Sequence, residues 1–246
     1  EVFKVHGTRS GFKHVYDSIG NLIAFALETV SRRASKVSRS GSKGSDRYLQ
    51  MQKSEYNLMA RRWSPRNRDP VVGWWDEHNK FKDYDILLFR GLNTEHSLAL
   101  EYGCGPGRNI KRFWPRFRRI DGIDISEVNI RKARKFLDDE GIRGSKLWSN
   151  DGVTIRCADK YDVVFSVITL QHVASQQVRF GILEQMFGAL RPGGTLTFQM
   201  GFGSRDNSVA YEDNYFEADS TNGGCDVRVD SEKQILGDLE SIGFVN

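Results

Sequence analysis

Three glycines at alternate positions, Gly103, Gly105 and Gly107, follow the short apolar run Leu98-Ala99-Leu100 and the acid Glu101. No other stretch limits the chain's folding options as much. A strand, a turn with no Cβ in the way and a helix starting at Arg108 bring backbone close to a ligand. The helix then points its free N–H groups at that ligand. The spacing excludes one ligand class. A dinucleotide fingerprint needs Gly or Ala where Arg108 stands, and this turn reads E-x-G-x-G-x-G instead.

From residue 97 onward, strand and helix signals alternate. Residues 97–102 give a first strand, and the helix from Arg108 meets Pro115. Residues 119–125 give a second strand ending in Asp124; Ser126 is placed to cap a helix running to about Glu140. Residues 146–149 form a short third strand that runs into Asn150-Asp151-Gly152. The unbroken apolar run 161–169 predicts a buried central parallel strand. Val178, Ile182, Leu183, Met186 and Leu190 share a helix face, Arg191-Pro192-Gly193-Gly194 breaks it, and 195–200 is a fifth strand. Together these predict an α/β fold with a doubly wound, mostly parallel sheet in the order 3-2-1-4-5. Residues 201–230, rich in Gly, Asn, Asp and Ser, predict a long loop. A last helix over 231–242 and the opening of a sixth strand over 243–246 follow.

The chain ahead of the first strand is different in kind. Residues 1–70 hold 14 Lys/Arg against 6 Asp/Glu, and the remaining residues 22 against 26, so the net charge of +4 belongs to the N-terminal part. Residues 19–30 predict a short helix. Residues 31–46 (SRRASKVSRSGSKGSD) have almost nothing to bury and predict a flexible linker. Residues 47–59 predict a helix with Leu49, Gln52, Tyr56 and Met59 near one face, ended ahead of Pro65. The aromatic-rich residues 71–89 serve either to cover the sheet or to form a lid. The expected organisation is a basic N-terminal extension or linker (1–46), a helical lid or cap (47–96) and a ligand-binding sheet domain (97–246).

Cys104, Cys157 and Cys225 stand far apart without metal-ligand spacing, which points to reduced thiols and a cytoplasmic location. Cys104 reads as a small residue the turn needs. No apolar run approaches the ~20 residues of a membrane-spanning helix. No metal is expected.

Taken in order, LEYGCGPG, GIDIS, SNDG, DVVFSVITLQHV and LRPGGTLTF resemble the successive motifs of the class I S-adenosylmethionine (SAM) dependent methyltransferases. The resemblance covers about residues 98–200. It implies a Rossmann-like methyltransferase sheet with an N-terminal helical extension, and SAM as cofactor. It also implies a seventh, antiparallel strand beyond the sixth, so the domain is expected to be cut short at its C-terminus. The glycines Gly103, Gly105 and Gly107 would line the cofactor. Glu101 would hold its methionine end with Ser166 main chain beside Val167, and Arg108 or Arg61 its carboxylate. Asp124, next to Ile125, would accept the ribose hydroxyls, while Asp151 and Gly152 would meet the adenine. The Leu-Gln-His at 170–172 resembles methyltransferases of small metabolites, often at oxygen, and makes His172 the candidate general base.

Three functions compete on these grounds. The first is a metal-independent methyltransferase of a small-molecule acceptor, at oxygen or nitrogen. The second is an RNA or protein methyltransferase that holds its substrate with the basic N-terminal region; a nucleic-acid partner ranks below the small molecule. The third is a non-catalytic SAM-fold module of a larger protein. Fold and cofactor motifs leave the acceptor and the oligomeric state open.

Overall fold

The computed structural model describes residues 22–29, 43–62, 84–203, 208–212 and 226–245. Its first element corrects the sequence reading. Leu22–Thr29, where a short helix is expected, is a strand, β1. A short apolar run does not distinguish helix from strand by its pattern, and here the tertiary partner decides.

Two helices follow: α1 (Lys43–Arg62) and the short α2 (Tyr84–Phe89). The last four residues assigned to the flexible linker, 43–46, are thus the first turn of α1, and residues 31–42 lie outside the described residues. So do Trp74, Trp75 and Phe81 of the aromatic stretch. Its described end covers the sheet: Leu87, Leu88 and Phe89 are buried, and the Phe89 ring meets Phe113, Phe117 and Phe165 edge-on at 5.0, 5.0 and 5.3 Å.

Then comes the alternation: β2 (Leu98–Tyr102), α3 (Arg108–Phe113), β3 (Arg119–Asp124), α4 (Glu127–Asp139), β4 (Leu147–Ser149), β5 (Tyr161–Ser166), α5 (Gln176–Ala189) and β6 (Leu190–Phe202). Pro115 does stop α3, within a 3₁₀ turn at Trp114–Arg116. Ser126 caps α4, its Oγ accepting from Asn129 N at 3.1 Å. These five strands run parallel in the order β4-β3-β2-β5-β6, the expected 3-2-1-4-5. The Arg191-Pro192-Gly193-Gly194 break sits inside β6, which pairs at Leu190 with Tyr161 before its register shifts. A Cβ on Gly194 would stand 3.0 Å from two backbone carbonyls, so glycine lets the strand pass the irregularity.

Residues 201–230 hold more than a loop. β7 (Val209–Ala210) and β8 (Val227–Val229) pair with each other, and β8 pairs with β6. After α6 (Glu232–Ile242), β9 (Phe244–Val245) is the expected last strand. It does not lie on β6. β1 runs antiparallel along β6 from Leu22↔Gly201 to Glu28↔Thr195, and β9 pairs antiparallel with β1. The antiparallel strand expected beyond the C-terminus is therefore supplied from the N-terminal side.

Apolar side chains leave both faces of the sheet, as a parallel sheet covered on both sides requires. Leu100, Val164, Leu196 and Phe198 pack against α5 and α6, with Tyr48 of α1 in the same cluster. Ala99, Val163 and Phe165 pack on the other face against α2, α3 and α4. No helix among the described residues is long and apolar enough to cross a membrane.

Candidate functional site

The carboxyl ends of β2, β3 and β5 meet along one edge of the sheet, where open α/β sheets bind ligands. A cavity of about 250 Å³ lies there, with the glycine turn, Asp124 and the segment after β5 on one side and α1 on the other.

The turn is built around two demands on glycine. Gly103 has φ +75°, and a Cβ on it would fall 2.3 Å from the Thr169 side chain. Gly105 has φ +52° with nothing within 4 Å of where its Cβ would be, so it faces open cavity. Its N–H donates to Asp124 Oδ2 at 2.9 Å, which ties the turn to the end of β3. Asp124 Oδ1 accepts from Ser126 N at 2.8 Å and Asn129 Nδ2 at 3.4 Å. Burial raises the Asp124 pKa against these bonds, and a carboxylate with about four acceptor sites still has one to offer.

Glu101 lies beneath the turn. Its Oε1 accepts from Asn109 Nδ2 at 2.7 Å, and Asn109 Oδ1 in turn accepts from Arg108 Nε at 3.2 Å. Oε2 is buried with no hydrogen-bond partner among the described residues. Complete burial pushes the Glu101 carboxyl up to about 8, outweighing the Asn109 bond and the Arg108 charge.

Beyond β5 the chain enters a strained stretch. Ile168, β-branched, has φ +52°, a conformation that costs energy unless its surroundings impose it. A 3₁₀ turn at Leu170–His172 follows. His172 lines the cavity, and α5 is capped by Ser175, whose Oγ accepts from Val178 N, so His172 is not a cap.

α1 forms the opposite wall with Tyr48, Leu49, Gln52, Tyr56, Met59 and Ala60. It is held by Tyr48, whose hydroxyl accepts from Ala174 N at 2.8 Å, and by Asn57, whose Oδ1 accepts from Ser126 Oγ at 2.8 Å and Val128 N at 3.3 Å.

Of the residues chosen from sequence, the cavity gathers Gly103, Gly105, Arg108, Asp124, Ile125, Gly152, Val167 and His172. Five stand elsewhere. Asp151 is exposed, and its own turn takes its oxygens: Oδ1 accepts from Val153 N and Thr154 N, Oδ2 from Thr154 Oγ1. Arg61 is exposed on α1, because the cavity face passes through Met59 and Ala60. Ser166 is buried and donates to Tyr102 O at 2.9 Å. Gly107 packs toward Ala133 and Leu137. Glu101 stays below the lining.

Sequence reasoning missed Asn109, which braces Glu101, and Asn57, which docks α1. It named Gln52 on the apolar face of α1 and gave it no role. A polar side chain inside an apolar stripe was the available signal.

Residues 99–194 match the family described as "Methyltransferase domain". The chain is 32% identical over 128 residues to human N-terminal Xaa-Pro-Lys N-methyltransferase 1, covering 50% of this chain and 56% of that protein. It is 30% identical over 139 residues to trans-aconitate 2-methyltransferase of Rhodopseudomonas palustris (strain BisB18), covering 51% and 50%. The chain thus spans about half the length of the curated relatives it matches. Among solved structures, the DhpI–SAH complex superposes with a TM-score of 0.50 at 20% identity, covering 64% of this chain and 70% of that one, a likeness of fold.

Proposed function

With residues 99–194 matching a methyltransferase-domain family, we propose that the protein is a class I, SAM-dependent methyltransferase that transfers a methyl group from SAM to a small-molecule acceptor, at oxygen or nitrogen, in the cytoplasm. One observation carries the reading: the cavity at the strand ends is floored by the glycine turn and Asp124, inside the segment that matches the family.

The residues present fit the cofactor. The open face of Gly105 lets backbone approach a ligand closely, and the Asp124 carboxylate at the end of β3 stands in the same lining. Gly103 and Gly105 would bring backbone against the methionine portion, with Arg108 near its carboxylate. Asp124 would use its remaining acceptor site on the ribose, and Ile125 and Gly152 would flank the adenine. When bound, SAM supplies a methyl group on a sulfonium, open to in-line displacement.

The chain's own contribution is alignment and the exclusion of water. α1 walls the cavity, and the strained Ile168 turn sets where His172 stands. His172 takes the proton that an acceptor hydroxyl or ammonium must lose, a role suited to an imidazole near neutral pH. Proton removal so assigned requires no metal. Cys104 and Cys157, both free thiols, agree with a reducing compartment.

A protein acceptor is the second reading, favoured by the human relative whose name specifies an Xaa-Pro-Lys N-terminus. Methyl-labelled SAM, offered with a panel of hydroxylated and aminated metabolites and an Xaa-Pro-Lys peptide, separates the two. Label on a metabolite is expected, with His172→Ala lowering turnover by about 10²–10⁴ while SAM affinity stays near wild type. Label on the peptide alone would replace the first reading with the second. Calorimetry that finds no SAM binding would remove both.

A further inference from the structure

His172 stands at the cavity in a turn held from within by two bonds, His172 N to Thr169 O at 2.9 Å and Val173 N to Leu170 O at 3.1 Å. The next peptide group is held from outside. Its C=O, that of Val173, accepts from Arg179 Nη1 of α5. Its N–H, that of Ala174, donates to the Tyr48 hydroxyl of α1 at 2.8 Å. One peptide plane beside His172 is thus gripped on both edges by buried side chains of two different helices.

Arg179 is anchored in turn. Its Nη2 donates to Tyr211 O, just past β7, and its guanidinium lies 4.8 Å from the Tyr211 ring centre. The Tyr211 hydroxyl donates to Asp238 Oδ2 of α6 at 2.7 Å, and Gln176 Nε2 donates to the same oxygen at 3.0 Å. This line of contacts from α6 through Tyr211 and Arg179 ends at Val173, the residue after His172. Filling space alone does not call for an arginine here. Its neighbours on α5, Val178, Ile182 and Leu183, are buried aliphatics, and burying a guanidinium is costly where an apolar side chain is not. What the arginine adds is direction. Its planar fork of N–H groups fixes two main-chain carbonyls at set angles, which an aliphatic side chain cannot do.

We propose that Arg179 and Tyr48 are positioning residues for His172, acting through the Val173–Ala174 peptide. This rests on the reading of His172 as the group that takes the proton. Methyl-labelled SAM with the metabolites and peptide described above tests it on the full chain, in wild-type and His172→Ala backgrounds. Arg179→Met keeps a long apolar side chain and drops the donors. It lowers kcat about 10- to 100-fold, the effect of a small misplacement, with acceptor KM and SAM affinity within about twofold of wild type. Arg179→Lys, with one donor group in place of the fork, falls between. Tyr48→Phe, which loses only the hydroxyl, lowers kcat in the same direction. In the His172→Ala background neither Arg179→Met nor Tyr48→Phe lowers kcat further, because the group they position is gone. Melting curves establish that each variant is folded, and Tyr48→Phe decides if the Arg179 variants are not. Equal losses in both backgrounds, or losses confined to KM or SAM affinity, would overturn the proposal. So would wild-type kcat in either folded variant. Wild-type turnover in His172→Ala would instead refute the base on which the proposal rests, and a wild type that labels nothing would refute the methyltransferase reading itself.

Discussion

Glu101 stands one residue before the end of β2 with its carboxyl fully buried, one oxygen held by Asn109 and the other without a hydrogen-bond partner among the described residues. With its pKa pushed up to about 8, the folded chain keeps a proton that the unfolded chain releases near pH 4.5. The stability linked to that proton is complete below about pH 4.5 and is lost as pH rises through about 8. Urea unfolding from pH 5 to 8 should show wild type losing stability relative to Glu101→Gln, with a difference approaching ~1.4 kcal/mol per pH unit. Parallel curves for the two proteins would show that Glu101 is ionised throughout. The acid was legible in the sequence, because it precedes an unmistakable glycine turn. Its protonation was not, because that depends on burial and on a bond to a helix residue. Asp151 differs in its surroundings, outside the cavity lining. An acid at a strand end looks like a ligand residue, but Thr154 three positions on offered its carboxylate a closer partner in its own turn.

At the scale of elements, α1 matters most, because it turns an open sheet edge into a cavity. The periodicity of residues 47–59 predicts the helix, yet nothing local to it says where it docks. Docking rests on long-range polar contacts, chiefly Asn57 with Ser126 and Val128, and Tyr48 with Ala174. The Lys53–Glu127 ion pair at 2.8 Å is largely exposed and adds little. Asn57→Ala removes the acceptor of two hydrogen bonds and should loosen α1 by about 1–2 kcal/mol. Hydrogen exchange would read this as roughly tenfold faster exchange confined to α1, with the amides of β2, β5 and β6 unchanged. Faster exchange across the whole sheet would mean that α1 is part of the folding core.

For the whole molecule, the alternation from residue 97 made the parallel sheet and its strand order legible, since each βα unit announces itself locally. The antiparallel margin was not legible. β1 looks helical in isolation, and only β6, far along the chain, makes it a strand. Removing residues 1–42 should therefore do more than shorten a tether. It uncovers the edge of β6 and leaves β9 without its partner, at a cost of at least ~3 kcal/mol in ladder hydrogen bonds. The melting temperature should fall by roughly 10 °C and the truncated chain should self-associate in gel filtration. A truncated chain that melts like the full one would show that the margin contributes nothing. The same pairing sets a timetable for biosynthesis. Leu22 leaves the ribosome long before Gly201, its opposite number, has been translated. At ~5–20 residues per second the wait is on the order of 10 to 40 s. During that interval β1 is an apolar segment with no native strand to join, so nascent chains should depend on a holding chaperone until β6 emerges.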